Sequence, residues 1–325
     1  MKSKGFNLLD TLFFILLFCL AWLLYGGNQW NGDRDAYELY YVRNSIYPWG
    51  IEILYGYLNI IFNNLGFSFQ IFQVVISFFT LFFTAIYLKK VSRYAAISFL
   101  VYFSLMFPLD YVLMRTSLSY AIVLNALLLL FRGRKGLYVF LIIIATLIHQ
   151  SAIFFLIFIF ANNNIKKNNI PFYLFFSFGL AFVFQALMAK GLVPTKLIEH
   201  FSYYKTNWIT IFSCVFYHVL SVLLIRLDFY VKAIKCKYDF FILNLNIISL
   251  ILIVAYFQSD IFVRSFRLIV FINLIYLIQY MFIWKKTTIF SVFYIAFYSF
   301  YLVEYYIYPV ADDSFLPLFS RFHLF

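Results

Sequence analysis

Charge is the scarcest commodity in this chain of 325 residues: Asp, Glu, Lys and Arg together make up 12% of it, while 65% is hydrophobic. A mean hydropathy of +0.90 and repeated apolar runs of about 20 residues exclude a soluble domain and point to an all-α, polytopic integral membrane protein. Cysteine is nearly absent. Cys19, Cys214 and Cys236 stand singly, which excludes a disulfide framework and a zinc site. Glycine is sparse and nowhere gathers into a phosphate-binding loop. The N-terminal MKSKGFNLLDTLFFILLFCLAWLLYGG lacks an A-x-A cleavage pattern and its apolar core is too long for a signal peptide, so an uncleaved anchor is expected. Nothing marks a separate soluble domain, and residues 1–325 read as a single polytopic membrane domain.

What charge there is leans basic, with a net +12. Its distribution argues against a nucleic-acid partner. Lysines and arginines fall in short clusters between apolar runs: Lys2 and Lys4, Lys89 to Arg93, RGRK at 132–135, Lys166 and Lys167, Arg226 to Lys237, and Lys285 with Lys286. Such clusters mark cytoplasmic loops. Placing them all inside yields spans near 8–27, 70–88, 94–112, 117–131, 137–148, 151–165, 170–189, 209–226, 239–257, 266–284 and 288–308. This is about eleven transmembrane helices with the N-terminus cytoplasmic. Residues 137–161 could instead cross once, as a single helix of about 37 Å, giving ten spans. That alternative moves three later basic clusters outside, so the positive-inside rule favours a break at His149-Gln150-Ser151.

In this topology residues 28–69 form an extended first extracytoplasmic segment, and every acid except Asp10, Asp228 and Asp239 falls on the outer side. The segment carries Asp33, Arg34, Asp35, Glu38, Arg43 and Glu52 among tyrosines and tryptophans. Rings at headgroup level are ordinary membrane anchors, but rings mixed with carboxylates and arginines also suit sugar faces and hydroxyls. In IEILYGYLNIIFNNLG, Ile51, Leu54, Leu58, Ile61, Phe62 and Leu65 share a stripe away from Glu52, Asn59 and Asn63. This predicts an amphipathic helix lying in the outer interface.

An arginine or aspartate at the centre of a membrane helix costs about 2.5–3.5 kcal/mol, so those flanked by apolar runs sit at an interface or serve a site. PLDYVLMRTSLSYA puts Asp110 and Arg115 at the outer junction of the third and fourth spans. They are either a junctional ion pair, or Arg115 is a clamp whose planar fork takes a diphosphate. His149 reaches the same face if the chain breaks there. It is either a satisfied core histidine or a group for proton transfer. Arg264 and Arg267, in QSDIFVRSFRLIVF with Gln258 and Asp260, share a helix face and are either solvated helix-start charges or anion ligands. The loop with Lys190, Lys196, Glu199, His200 and Lys205 reads as solvated, with a mobile lid as the alternative.

The order GDRDAYELYY, EILYGYLNIIF, MRTSLSYAIVLNALLLLF with RGRK, then ATLIHQSAIFFLIF resembles the EpsG/Wzy group of membrane polysaccharide polymerases, with a weaker extension to VRSFRLIVFINLIYL. The group's acidic, tyrosine-rich first loop, its R-x-x-[LIV]-[AS] helix start and its H-x-S fall here on Asp35 and Tyr37, on Arg115 with Leu118 and Ser119, and on His149 with Ser151. Ser119 is a mild departure from the alanine of many relatives. The resemblance implies a glycosyltransferase of the bacterial inner (cytoplasmic) membrane, working at its outer face. Its donor and acceptor would be undecaprenyl-diphosphate-linked glycans, and its partners membrane lipid, a chain-length regulator and a flippase. No cofactor and no metal are expected; the isolated D-R-D of Asp33 and Asp35 is weak evidence for one. The residues expected to do the chemistry are Asp35, His149 and Glu52, with Arg115, Arg34, Tyr37, Arg264 and Arg267 holding substrate. Alternative readings are a lipid-linked oligosaccharide flippase, a glycan ligase or an acyltransferase. The nearly uncharged spans speak against the first, and the lack of an acid beside H-Q-S speaks against the last.

Overall fold

A computed structural model describes residues 8–161, 208–233, 235–257, 263–281 and 287–312, with single positions at 175, 179, 182, 183, 186, 190 and 316. All regular elements among them are helices. The chain divides into two compact units, one of Met1–Leu156, Ile275–Lys285 and Ala296–Phe325, the other of Ile157–Leu274 and Lys286–Ile295.

The first unit begins with α1 (Leu8–Gly27), followed by the short α2 (Arg34–Val42) and α3 (Ile53–Asn64). Then come α4 (Phe69–Val91), α5 (Ala95–Leu105), α6 (Phe107–Asp110), α7 (Met114–Phe131) and α8 (Lys135–Ile148). Helix α1 packs on α4 and α5, α4 on α7, and α7 on α8. Polar side chains pin these seams: Trp22 donates its indole N–H to Val74 O at 3.0 Å, and Asn125 Nδ2 donates to Phe83 O at 2.7 Å. Ser119, fully buried, donates to Ala145 O at 2.9 Å, so its hydroxyl costs nothing at the α7–α8 seam.

Among the described residues, five helices are long and apolar enough to cross a membrane: α1, α4, α7, α9 (Trp208–Val231) and the stretch Ile289–Ile307. The expected span 94–112 is broken. Pro108 has no N–H to continue α5, and the chain re-starts at Met106 as the single turn α6 before bending into α7. The span expected at 239–257 is also interrupted, α10 (Lys237–Ser249) passing through a 3-10 turn at Leu250–Leu252 into α11 (Ile253–Tyr256). The span expected at 170–189 lies almost entirely outside the described residues, as do the ends of those at 151–165 and 266–284.

The break at His149 is where the sequence places it. Helix α8 stops at Ile148, His149 is extended (φ −149, ψ 120), and a 3-10 segment runs over Gln150–Phe160. The Tyr138 hydroxyl donates to Phe155 O, 17 residues on. In one continuous helix these residues would stand about 25 Å apart, so the chain doubles back.

Helix α3 is amphipathic as expected, but with its polar side inward. Glu52, Tyr55, Gly56 and Asn59 are buried, while Ile51, Ile61 and Leu65 are exposed and Leu54, Leu58 and Phe62 half-buried. An apolar stripe left outward fits the apolar surroundings of a multi-pass membrane protein.

The second unit contains α9, α10, α11, most of α12 (Val263–Gln279) and the start of α13 (Ile289–Leu302). Its core is polar. Asn246 and Asn273 exchange amide hydrogen bonds at 2.7 and 2.8 Å, and Asn273 also donates to the Tyr294 hydroxyl, which meets Ser221 Oγ at 2.7 Å. His218 bonds Ser249 Oγ through Nε2 and the Tyr256 hydroxyl through Nδ1, with Phe266 stacked on its face at 4.5 Å.

Candidate functional site

The site grows from the turn before α3. Gly50 takes a positive φ of 55, which an L side chain rarely adopts, and so lets Trp49 and Glu52 leave the turn toward the protein interior. Gly56, one helical turn into α3, leaves room for the indole; a Cβ there would meet Trp49 Cδ1 at 2.7 Å. Trp49 then packs edge-on against Tyr55 at 5.0 Å and Tyr40 at 5.4 Å.

Helix α2 is anchored by Arg34. Its Nη1 donates to Asn28 O at 2.8 Å and Gln73 Oε1 at 3.0 Å, and its Nη2 donates to Gln70 Oε1 at 3.0 Å. Its Nε lies 3.6 Å from Glu38, and burial pulls the guanidinium below its ordinary pKa against the opposing pull of Glu38 and Asp35. On the same buried face as Arg34, Tyr37 is carried to the start of α7, where its hydroxyl accepts from Arg115 Nε at 3.3 Å. Burial raises the Tyr37 phenol above its usual range, against the opposing charge of Arg115. The α6–α7 corner is held by Tyr25, whose hydroxyl donates to Asp110 O at 3.1 Å and meets Ser117 Oγ at 3.2 Å.

Glu52 lies where these elements meet. One carboxylate oxygen pairs with Arg115 Nη1 at the start of α7. The other takes His149 Nδ1 at 2.7 Å and the Gln150 amide N–H at 3.1 Å, both just past the end of α8. Burial alone would push the Glu52 carboxyl up. The His149 hydrogen bond, the charges of Arg115 and His149, and the Gln150 amide outweigh it and hold Glu52 below the ordinary carboxylate pKa. Arg115 lies over the rings of Trp49 at 5.2 Å and Tyr37 at 5.3 Å, with its side chain still 29% exposed.

Of the residues expected to form the site, the structure thus brings together Glu52, His149, Arg115 and Tyr37. Arg34 is buried behind them and spends its donors on α4 and the α1–α2 turn. Asp35 is exposed on α2, away from the buried face that carries Tyr37. Arg264, half-buried, and Arg267, fully buried, belong to the second unit. Gln258, Asp260, Lys196, Glu199, His200 and Lys205 lie outside the described residues. The ion-pair partner of Arg115 is Glu52, where proximity in sequence suggested Asp110. Trp49 was not singled out in the sequence, where it is one tryptophan of an aromatic-rich segment. The signal for it is the neighbouring pair of glycines, Gly50 and Gly56, that its packing requires.

Two features equip this cluster for chemistry. The Glu52 carboxylate fixes a proton on His149 Nδ1, leaving Nε2 as the basic nitrogen, and Nε2 has no partner among the described residues. Arg115 Nη2 likewise has no partner among the described residues. A proton acceptor and an open guanidinium corner therefore stand on either side of one buried carboxylate.

The family model of the EpsG family matches residues 7–320. Comparison with curated proteins and with solved structures finds no match.

Proposed function

The chain belongs to the EpsG family, and from that premise we propose that it is a glycosyltransferase joining undecaprenyl-diphosphate-linked repeat units into a polysaccharide at the outer face of the bacterial cytoplasmic membrane. The observation that carries this reading is the Glu52 cluster, which sets a histidine base beside an arginine in a multi-pass membrane protein.

Glycosyl transfer from a lipid diphosphate asks for two things, removal of a proton from the acceptor hydroxyl and support for charge on the leaving diphosphate. His149 Nε2 takes the proton. The freed oxygen bonds to the anomeric carbon of the donor chain, and the bond from that carbon to the diphosphate oxygen breaks with its electron pair left on undecaprenyl diphosphate. Arg115 holds the diphosphate, and Tyr37 and Trp49 fix the guanidinium against their rings. Glu52 orients His149 and favours its protonated form as the transfer proceeds.

Deleting the protein in its host should abolish long glycan chains on a gel ladder while single repeat units still reach the outer surface, because polymerisation and flipping are separate steps. Single units accumulating on the inner face only would replace this reading by that of a flippase.

A further inference from the structure

Arg115 as it stands is a half-used fork. Its Nε–H goes to Tyr37 and one of the two N–H groups on Nη1 to Glu52, so Nη2 is the one guanidinium nitrogen with no partner among the described residues. A guanidinium binds phosphate oxygens best through two parallel N–H donors, which one free corner does not supply. Glu52 is divided in the same way, one oxygen on Arg115 and the other on His149 and Gln150. Resting on the polymerase reading above, we propose that Arg115 changes partners in each turnover: it releases Glu52 to take the donor's diphosphate with a full edge of its fork, and the released Glu52 then strengthens His149 as a base.

The surroundings permit the exchange. Attraction between a guanidinium and an aromatic face does not depend on how the guanidinium is rotated in its own plane, so Trp49 and Tyr37 retain Arg115 while its hydrogen-bond partners change. Glu52 stays held by His149 and the Gln150 amide. The titratable groups around His149 are Glu52 directly, Arg115 through Glu52, the Tyr37 and Tyr55 phenols around Arg115, and Tyr120, whose hydroxyl lies 3.5 Å from Ser151 Oγ. Of these only Arg115 carries a positive charge, and withdrawing it from Glu52 makes an imidazolium at position 149 easier to form. The acceptor's proton then has a better destination when the donor is in place. With no donor bound, Arg115 stays on Glu52 and the acceptor is left alone.

The test uses the purified full-length protein in detergent, with farnesyl diphosphate as a short isoprenoid diphosphate probe. Probe binding is followed by calorimetry, and the apparent pKa of His149 is read from the pH dependence of its modification by diethyl pyrocarbonate, quantified on the peptide that contains it. The exchange predicts a rise of about one pKa unit on adding the probe to the native protein. In Arg115→Gln the pKa should already be raised without probe and should not respond to it. In Glu52→Gln the probe-dependent rise should vanish. An equal rise in Glu52→Gln would mean that the diphosphate acts directly on His149, and would overturn the exchange. So would an unchanged His149 in native protein that binds the probe, or the absence of probe binding. Each of these results leaves the polymerase reading to the glycan ladder, which does not depend on them.

Discussion

Glu52 divides its two oxygens among an arginine, a histidine and a backbone amide. Its folded pKa lies below the ordinary 4.5 because three donors outweigh the cost of burial. A depressed carboxyl stabilises the fold above its unfolded pKa and loses that contribution as pH falls through the folded value. The native protein in detergent should therefore lose melting temperature as pH drops below about 4.5, and Glu52→Gln should lose less over that window. At neutral pH the same substitution removes a hydrogen-bonded charge, worth about 1.5–3 kcal/mol, and should stop polymerisation. Gly56 gives a sharper geometric test. Gly56→Ala drives a methyl into the Ile46 side chain and the Trp49 indole and should cost about 1–3 kcal/mol, with shortened glycan chains as the ring leaves Arg115. Gly136→Ala is the control: nothing lies within 4 Å of a Cβ there, and in the first turn of α8 it should be neutral or stabilise by about 0.4–1 kcal/mol in a thermal melt.

At the scale of elements, the site depends on α2 and α3 being docked correctly onto the bundle. Arg34 does this for α2 with a fork that a lysine cannot imitate. Arg34→Lys should reduce polymerisation by weakening the Tyr37 contact with Arg115, and a drop in protein level should accompany it, since two glutamine side chains and a carbonyl lose their donors. Immunoblot and ladder together check this. Much of the element map was legible. The runs at 8–27, 70–88 and 117–131 announce α1, α4 and α7, and the polar His149-Gln150-Ser151 in a long apolar run announces the reversal after α8. The break inside 94–112 was not read, although Pro108 is visible there, because hydropathy averages over a single turn. Nor could the partner of Arg115 be read. Asp110 lies nearby in sequence, whereas Glu52 is 63 residues away and reaches Arg115 only through the docking of α3. The sequence pointed to Tyr37, Arg115, His149 and Glu52 separately; what the fold adds is that Glu52 is the carboxylate that joins them.

At the scale of the whole molecule, the basic clusters predict which loops face the cytoplasm. Reporter fusions after Lys90, Lys135, Lys167 and Lys237 should read inside, and fusions near Asn31 and His149 outside. An outside signal at Lys167 would sink the two-span reading of 137–165. The polar network inside the second unit bears on how the protein is made. Interhelical hydrogen bonds in a membrane are worth about 0.6 kcal/mol each on average, so their force lies less in stability than in choosing which helix faces meet. Here the amide of Asn273, itself paired with Asn246, and the hydroxyl of Ser221 converge on Tyr294, which is the last of the four to be synthesised. Until the ribosome has delivered Tyr294, the earlier helices of this unit sit in the bilayer with an incomplete set of partners. They are then substrates for the proteases that survey unassembled membrane segments. A nascent chain stopped a few residues short of Tyr294 should accordingly be degraded much faster than one stopped just beyond it.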